Sequence, residues 1–461
     1  MNERIAFFCI PAHGHTNPMI PVAAELTKRG ARVRFYSFVP FEEKIRSSGA
    51  EFISCDRFLG DLTKAEEAGL KRVSAAEMTI QDLRITKAMD SFLSEEFAEY
   101  QPQVIYSDSV CFWGKLSAAR HKIPLVISTS TFAFNELSCR DIRNSPAELA
   151  DLVLGLPRIS RELKSMEKYG YHIRNAMTLI ASGNDTDTVV YTSKGFQPCA
   201  ESFSDHYLFA GPSIPKDFPL KPKPKRPLIY ISMGTVINER PGFYRTCMQA
   251  LGDLDADIIL SCGNAVDPSS LEPLPENFRV FPSVDQKDVL SGASLFLSHC
   301  GMNSVSESLF FGVPLILFPQ TNEQKAVAAR VKERNAGVLL EEDSAEAIRS
   351  AALKILNVQS YTEAAQDCRS EFLACPGPAG AAEFILQAPH AGNGRDPLKE
   401  LRNETGKAMS AYYLGDLLLV LALRFGLKVK PAWLFGVLGL LASPLLQKKL
   451  MDRNYRKRIR S

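Results

Sequence analysis

Apolar residues in this chain fall in short buried-type runs, separated by stretches with helical spacing. Residues 4–10 read as a buried strand. Asn17-Pro18 then opens a helix with proline in its first turn, apolar Met19, Ile20, Ala23 and Leu26 share one face, and Gly30 closes it. Residues 32–38 form the next strand, and further strands fit 103–106 and 124–128, with a helical insertion between about 60 and 100. Residues 135–185 mix polar and apolar positions without one period. The segment 215–227 carries proline at a density that excludes helix or central strand and predicts an extended spacer. A second series follows, with strands expected at 228–232, 256–261, 278–282, 295–298, 314–318 and 337–340, most of them separated by helical stretches. That alternation predicts an α/β protein with doubly wound parallel sheets and a ligand cleft at the strands' carboxyl ends. The expected division is a first domain at 1–215, a linker at 216–227, a second domain at 228–388 and a tail at 389–461.

The tail has a different pattern. Two apolar runs, 411–427 and 432–446, flank Lys428-Val-Lys430-Pro431, and a basic end follows with Lys448, Lys449, Arg453, Arg456, Lys457, Arg458 and Arg460. A straight span needs about 20 apolar residues, and the first run contains Asp416 and Arg424. An interfacial hairpin against an anionic membrane surface is therefore expected, ahead of helices packed on the body or on a partner protein.

Composition narrows the function classes. Lys and Arg total 54 against 52 Asp and Glu, a net charge of +2, so no global field draws the chain to nucleic acid. Ten cysteines are scattered without a Cys-x-x-Cys pair, and the first residues hold too short an apolar run for a secretory signal. A reduced, cytoplasmic body is expected, with peripheral attachment to the inner face of the cell membrane through the tail. Seven histidines form no helical metal pair, and no bound metal is expected.

Candidate chemistry concentrates in residues 295–324. Gly301 allows a sharp turn and close ligand approach, and Asn303 and Ser304 open a helix whose free N–H groups favour a diphosphate. His299 at the strand exit can donate to a phosphate oxygen. Glu307, one turn on, can accept from ribose hydroxyls, and Glu323 and Gln324 after the next strand can read a sugar ring. An ordinary βαβ unit explains Gly301, Ser304 and Gly312 as turn and cap residues, but not His299, Glu307 and Glu323-Gln324 together.

The segment resembles the donor-binding signature of the UDP-glycosyltransferases: H-x-G-x-N-S-x-x-E, then G-V-P, then P, then an acidic residue and Gln. The resemblance covers about residues 1–388 and implies the GT-B architecture, two Rossmann-like domains facing a cleft. Within it, His13-Gly14-His15-Thr-Asn-Pro18 is similar to the family's G-H-x-x-P motif, which makes His15 the catalytic base; His13 would line the pocket. An imidazole suits removal of a proton from an acceptor hydroxyl. Asp108, at the end of Tyr106-Ser-Asp108, resembles the family's Asp partner to that base, and otherwise reads as a helix cap. Ser232-Met-Gly234-Thr235 resembles an S-x-G-S/T loop that meets the diphosphate. Gln286 aligns with a family glutamine, and Val284 can offer backbone groups to a base edge. Many relatives carry a base-stacking aromatic where this chain has Ser283. The donor is therefore expected to be a UDP- or TDP-sugar acting as co-substrate, with no resident cofactor.

Together these imply an inverting, metal-independent transfer of a hexose, glucose in the first instance, from a UDP-sugar to a hydroxyl of an apolar small molecule. The resemblance is closest to bacterial macrolide-type enzymes, and macrolides, polyketides and phenolics are the acceptors considered. Phe112, Trp113, Phe132 and Phe134 are candidate acceptor-pocket walls. A sugar-nucleotide epimerase of the same fold and a non-catalytic sugar-nucleotide-binding protein are the competing readings.

Overall fold

Two parallel sheets organise the protein. The computed structural model describes residues 3–59, 74–135, 137–138, 146–171, 173, 176–180, 183, 186–222 and 224–390. The expected tail lies outside these. Among the described residues no helix is long and apolar enough to cross a membrane.

The first sheet comprises β1 (Arg4–Phe8), β2 (Arg32–Ser37), β3 (Glu51–Ser54), β4 (Val104–Asp108), β5 (Leu125–Thr129), β6 (Asp187–Val190) and β7 (Tyr207–Phe209), in the order β3-β2-β1-β4-β5-β6-β7. Around it run α1 (His13–Lys28), α2 (Glu42–Ser47), α3 (Ala75–Tyr100), α4 (Phe112–His121) and α5 (Pro146–Met166). The second comprises β8 (Leu228–Ser232), β9 (Asp257–Ser261), β10 (Phe278–Phe281), β11 (Leu295–Ser298), β12 (Leu315–Leu317) and β13 (Gly337–Leu339), ordered β10-β9-β8-β11-β12-β13. Its helices are α6 (Pro241–Leu251), α7 (Gln286–Leu290), α8 (Met302–Phe310), α9 (Asn322–Glu333), α10 (Ala345–Asn357) and α11 (Gln359–Ala374); α12 (Gly377–Gln387) follows.

In both sheets the strand order reverses beside the first strand, β1/β4 and β8/β11, which opens a crevice at the carboxyl ends there. Central strands are covered on both faces, so they read as unbroken apolar runs: Ile5, Ala6, Phe7 and Phe8 are all fully buried. Strands β3, β6 and β7 escaped the sequence reading because all are short, and β3 and β6 carry polar residues such as Glu51, Ser54 and Asp187.

The two halves interlock. Phe132 and Phe196 of the first half join the core of the second domain, where Phe196 meets Phe372 edge-on with ring centroids 5.9 Å apart. Arg330 of α9 donates to the Phe196 and Gly195 carbonyls at 2.9 and 2.7 Å. In return α12 crosses back, putting Ala381, Ala382, Ile385 and Leu386 in the core of the first domain, with Arg29, which caps the C-terminus of α1, bonded to Glu383 at 2.7 Å. By packing, α12 sits with the first sheet although it follows the second in sequence.

Close helix–sheet contact limits side-chain size at one position. Gly114 in α4 faces β1 and β4, where a Cβ would overlap the Ser107 hydroxyl and come within 2.6 Å of Phe8 Cβ. Gly114→Ala should destabilise the fold by about 1–3 kcal/mol through overpacking, read as a lower urea midpoint at unchanged slope.

Candidate active site

His15 lies in the first turn of α1, above the carboxyl ends of β1 and β4. Its Nδ1 is 2.8 Å from Asp108 Oδ2 and 3.1 Å from Ser130 Oγ. Asp108 is the last residue of β4 and fully buried. Its other oxygen accepts from the Val110 backbone N–H at 3.0 Å, so the same carboxylate caps the loop before α4 and holds the imidazole. With Nδ1 engaged, Nε2 is the nitrogen left to take a proton. Burial pulls the His15 pKa down, but the Asp108 charge and hydrogen bond, with a smaller push from Glu323, leave it above the ordinary histidine value.

Helix α1 starts at His13, four residues before the start expected at Asn17-Pro18, and Pro18 stands inside it. The reason is chemical. A helical N–H at position 18 would bond the Gly14 carbonyl four residues back, and proline has none to give. That carbonyl instead accepts from Asn303 Nδ2, across the cleft, at 2.7 Å. Asn303 therefore ties the donor-side helix to the loop carrying His15, a contact that the sequence reading had not foreseen.

Helix α8 has no side-chain cap and no acidic residue in its first turn, which leaves its leading N–H groups available to an anion. The sharp turn ahead of it falls on Cys300, at φ 68°, and not on Gly301, whose φ is −61°. Gly301 matters for a different reason: a Cβ there, or at Gly234 (φ 79°) across the way, would lie 2.5 Å from His299 Nε2. The imidazole is thus pressed between the loops after β8 and β11. Burial pushes its pKa down to about 4, against a smaller upward pull from the Ser232 backbone, so near pH 7 it is a neutral ring with one N–H to give, and its buried Nδ1 has no well-formed bond among the described residues. Ser232 Oγ accepts from the Gly234 N–H at 3.3 Å, while Thr235 is exposed.

Beside this lies a polar network. Gln286 Nε2 donates to Glu307 Oε2 at 2.7 Å and Ser304 Oγ at 3.3 Å, and Tyr230 OH donates to Gln286 Oε1 at 3.4 Å. Burial raises the Glu307 pKa and the Gln286 bond opposes it. Val284 is half-buried on the second domain's core. Asp285 caps α7, accepting from the Lys287 and Asp288 N–H groups.

Glu323 reaches across the cleft, its Oε1 accepting from Thr131 Oγ1 at 2.9 Å; burial raises its pKa, while Thr131 and the His15 charge lower it. Gln324 is also a structural cap. Its Oε1 accepts from the Gln320 and Thr321 N–H groups at 2.8 and 3.2 Å, which leaves only its amide N–H bonds free.

Ser130 and Thr131 were missed by the sequence reading; the signal was the hydroxyl run Ser128-Thr129-Ser130-Thr131 leaving β5. Phe281 was missed too. It is 40% exposed and in register with Ser261, which is in register with Ser232, so all three side chains share one face at the strands' carboxyl ends. Phe112, Trp113 and Phe132 prove to be core residues, at most 2% exposed, and not pocket walls. Phe134 packs half-buried against the second core. Among the described residues no group of histidine, cysteine, aspartate and glutamate could hold a metal ion.

The Gly14–Asn303 bond is testable as a pair. Pro18→Ala restores an intrahelical N–H for Gly14, and Asn303→Ala removes the cross-domain donor. Because both act on one carbonyl, a double-mutant cycle on kcat/KM should show coupling of about 1 kcal/mol. Strict additivity would mean that the bond has no part in turnover.

The chain is similar to known proteins over most of its length. The family profile for the C-terminal domain of erythromycin biosynthesis protein CIII-like proteins matches residues 245–387. The uncharacterized UDP-glucosyltransferase YojK of Bacillus subtilis (strain 168) is 32% identical over 389 residues, 82% of this chain and 95% of the relative. The demethyllactenocin mycarosyltransferase of Streptomyces fradiae is 31% identical over 395 residues, 83% and 85% of the two chains. The calicheamicin glycosyltransferase CalG4 superposes with a TM-score of 0.71 at 26% identity, over 85% of this chain and 99% of that one. The chain belongs to the UDP-glycosyltransferase superfamily, among the bacterial macrolide-type glycosyltransferases, and is an enzyme of GT-B fold.

Proposed function

We propose that this glycosyltransferase is inverting and metal-independent, and moves a hexose, glucose in the first instance, from UDP to a hydroxyl of an apolar small molecule such as a macrolide, polyketide or phenolic. The observation that carries the reading is the 2.8 Å His15–Asp108 pair, bonded through Gly14 and Asn303 to an uncapped helix N-terminus.

In this mechanism His15 Nε2 takes the acceptor's hydroxyl proton as its oxygen attacks the anomeric carbon. Attack comes from the face opposite the diphosphate, so the configuration inverts. The bond from the anomeric carbon to the diphosphate oxygen breaks, and its electron pair leaves with UDP. Asp108 stabilises the imidazolium that forms. The α8 N–H groups and the neutral His299 ring receive the growing phosphate charge, so the mechanism requires no divalent ion. Ser232 and Thr235 meet the diphosphate from the β8 side, and Glu307, steadied by Gln286, takes the ribose hydroxyls. Val284 offers backbone groups to the base. Glu323 and the free amide of Gln324 read the sugar, the latter only as a donor because its oxygen is used in the cap. The names of the two relatives above, both transferases, favour transfer over epimerisation or binding alone. A tail seated on an anionic membrane surface stays part of this proposal, on its composition.

His15→Ala should keep UDP affinity and lose roughly 100- to 10,000-fold in transfer from UDP-glucose to an alcohol or phenol, measured by mass spectrometry of the product. More than half of wild-type turnover would exclude His15 as the base. Because the base must be unprotonated, the rate should rise with pH through the His15 pKa, with its acidic limb above the ordinary histidine range. Asp108→Asn removes the main upward push and should move that limb down while lowering the plateau.

Phe281 is the aromatic face available to the nucleobase in place of Ser283. Calorimetry should show Phe281→Ala weakening UDP and TDP alike by about 1–3 kcal/mol, the range of one base–aromatic stack. Unchanged affinity would leave the base without a stacking partner here.

A further inference from the structure

Helix α3 (Ala75–Tyr100) lies on the first sheet through Met89, Leu93 and Phe97, which share a core with β1 and β4. Its C-terminal end sits at the sheet's amino edge, since Tyr100 OH donates to the Ile5 and Arg32 carbonyls at 3.2 and 2.6 Å. The N-terminal turns therefore project toward the carboxyl edge and the cleft. Positions 82, 86, 89, 93 and 97 share one helical face, so the sheet-facing stripe runs back through buried Thr86 to Asp82. Seven residues place Asp82 about 10 Å beyond Met89 along the axis.

Asp82 is thus a half-buried carboxyl one turn beyond Thr86 on that stripe, while the adjoining face of the helix packs Ile80 and Leu83 against Phe112, Leu116, Ile159 and Leu163. Its backbone carbonyl accepts from Thr86 Oγ1 at 2.7 Å, and its carboxyl has no hydrogen-bond or ionic partner among the described residues. It also lies within electrostatic reach of Asp108: burial first, and the Asp108 charge second, push its pKa up to about 8. A half-buried carboxyl that no described residue pairs is open to a ligand.

We propose that Asp82 is the acceptor-recognition residue of the cleft, hydrogen-bonding a hydroxyl or carbonyl of the acceptor and thereby selecting which of its hydroxyls is presented to His15. This rests on the transferase reading. A neutral carboxyl suits the task because it donates through O–H and accepts through C=O. Its position on the face that continues the sheet's core, at the end of α3 toward the strands' carboxyl edge and within electrostatic reach of Asp108, puts it on the acceptor side of the cleft.

The probes are quercetin, which carries several hydroxyls, and 4-nitrophenol, which carries one, each with UDP-glucose. Asp82→Leu should raise the KM for quercetin about tenfold and alter its ratio of glucoside regioisomers, with UDP affinity within about twofold of wild type. Asp82→Asn, a neutral isostere, should keep the wild-type ratio. Calorimetric binding of quercetin to wild type and Asp82→Leu reads the same contact even where no product forms. The proposal is overturned if Asp82→Leu leaves quercetin binding and regioisomer ratio unchanged. It is equally overturned if Asp82→Leu loses UDP binding and melting temperature in step, which is a structural role, or if Asp82→Asn is as impaired as Asp82→Leu. Quercetin bound normally but never glucosylated, by wild type or with either probe, would count against the transferase reading and not against Asp82.

Discussion

A hydrogen bond that cannot form inside α1 sets up the cleft. Pro18 lacks the N–H that would close the helical turn onto Gly14, so the Gly14 carbonyl is left turned toward the opposite domain, where Asn303 binds it at 2.7 Å. The same turn carries His15, so the base and the N-terminus of the donor helix are linked through one carbonyl. The carbonyl is exposed, so water can also satisfy it, but the bond to Asn303 forms only when the two domains stand at the right separation. Proline four residues after glycine is thus a spacing with a mechanical consequence.

The rest follows from where parallel sheets put their polar residues. Strand interiors are buried on both faces and must be apolar; hydroxyls and charges are tolerated at the carboxyl ends, where the chain leaves the sheet. Asp108, Ser232, Ser261 and Ser298 are each the last residue of a strand, and the latter three stand in register. Phe281 ends the neighbouring edge strand in the same row. Two sheets facing one another therefore align an acid–base pair with a shelf of hydroxyls and N–H groups, with no further element needed to hold them.

This explains which parts were legible in the sequence. Long apolar runs betrayed β1, β4, β8 and β11, and the fixed turn residues of 299–307 betrayed the donor helix. Side chains whose meaning depends on a partner distant in sequence were not readable. Asn303 looked like a helix opener because its acceptor lies 289 positions away. Gln324 showed only its sugar-reading side, because its second role, a capping box with Thr321, is local but needs backbone geometry. Gly301 looked like the turn, while the positive φ fell on Cys300 and the glycine instead made room for His299. Phe112, Trp113 and Phe132 lay near strand ends in sequence, yet aromatic rings at such places fill cores more often than pockets. Asp108 was ambiguous for a sound reason, since its two oxygens perform both of the roles weighed for it.

Electrostatics separates His15 from its neighbours. Burial drives His299 down and Glu307 and Glu323 up, each toward the uncharged form that a low-dielectric cleft favours. His15 experiences the same burial, yet its pKa rises, because the Asp108 carboxylate is in direct contact and Glu323 adds to it. Of these four groups it alone is biased toward its charged form. That bias is misplaced for a residue that only binds, since it would hold the imidazole protonated and unable to accept. It is well placed for a base, whose charged form is the product of the proton transfer it performs. The cleft thus lowers the energy of the imidazolium at the one position where catalysis must create it.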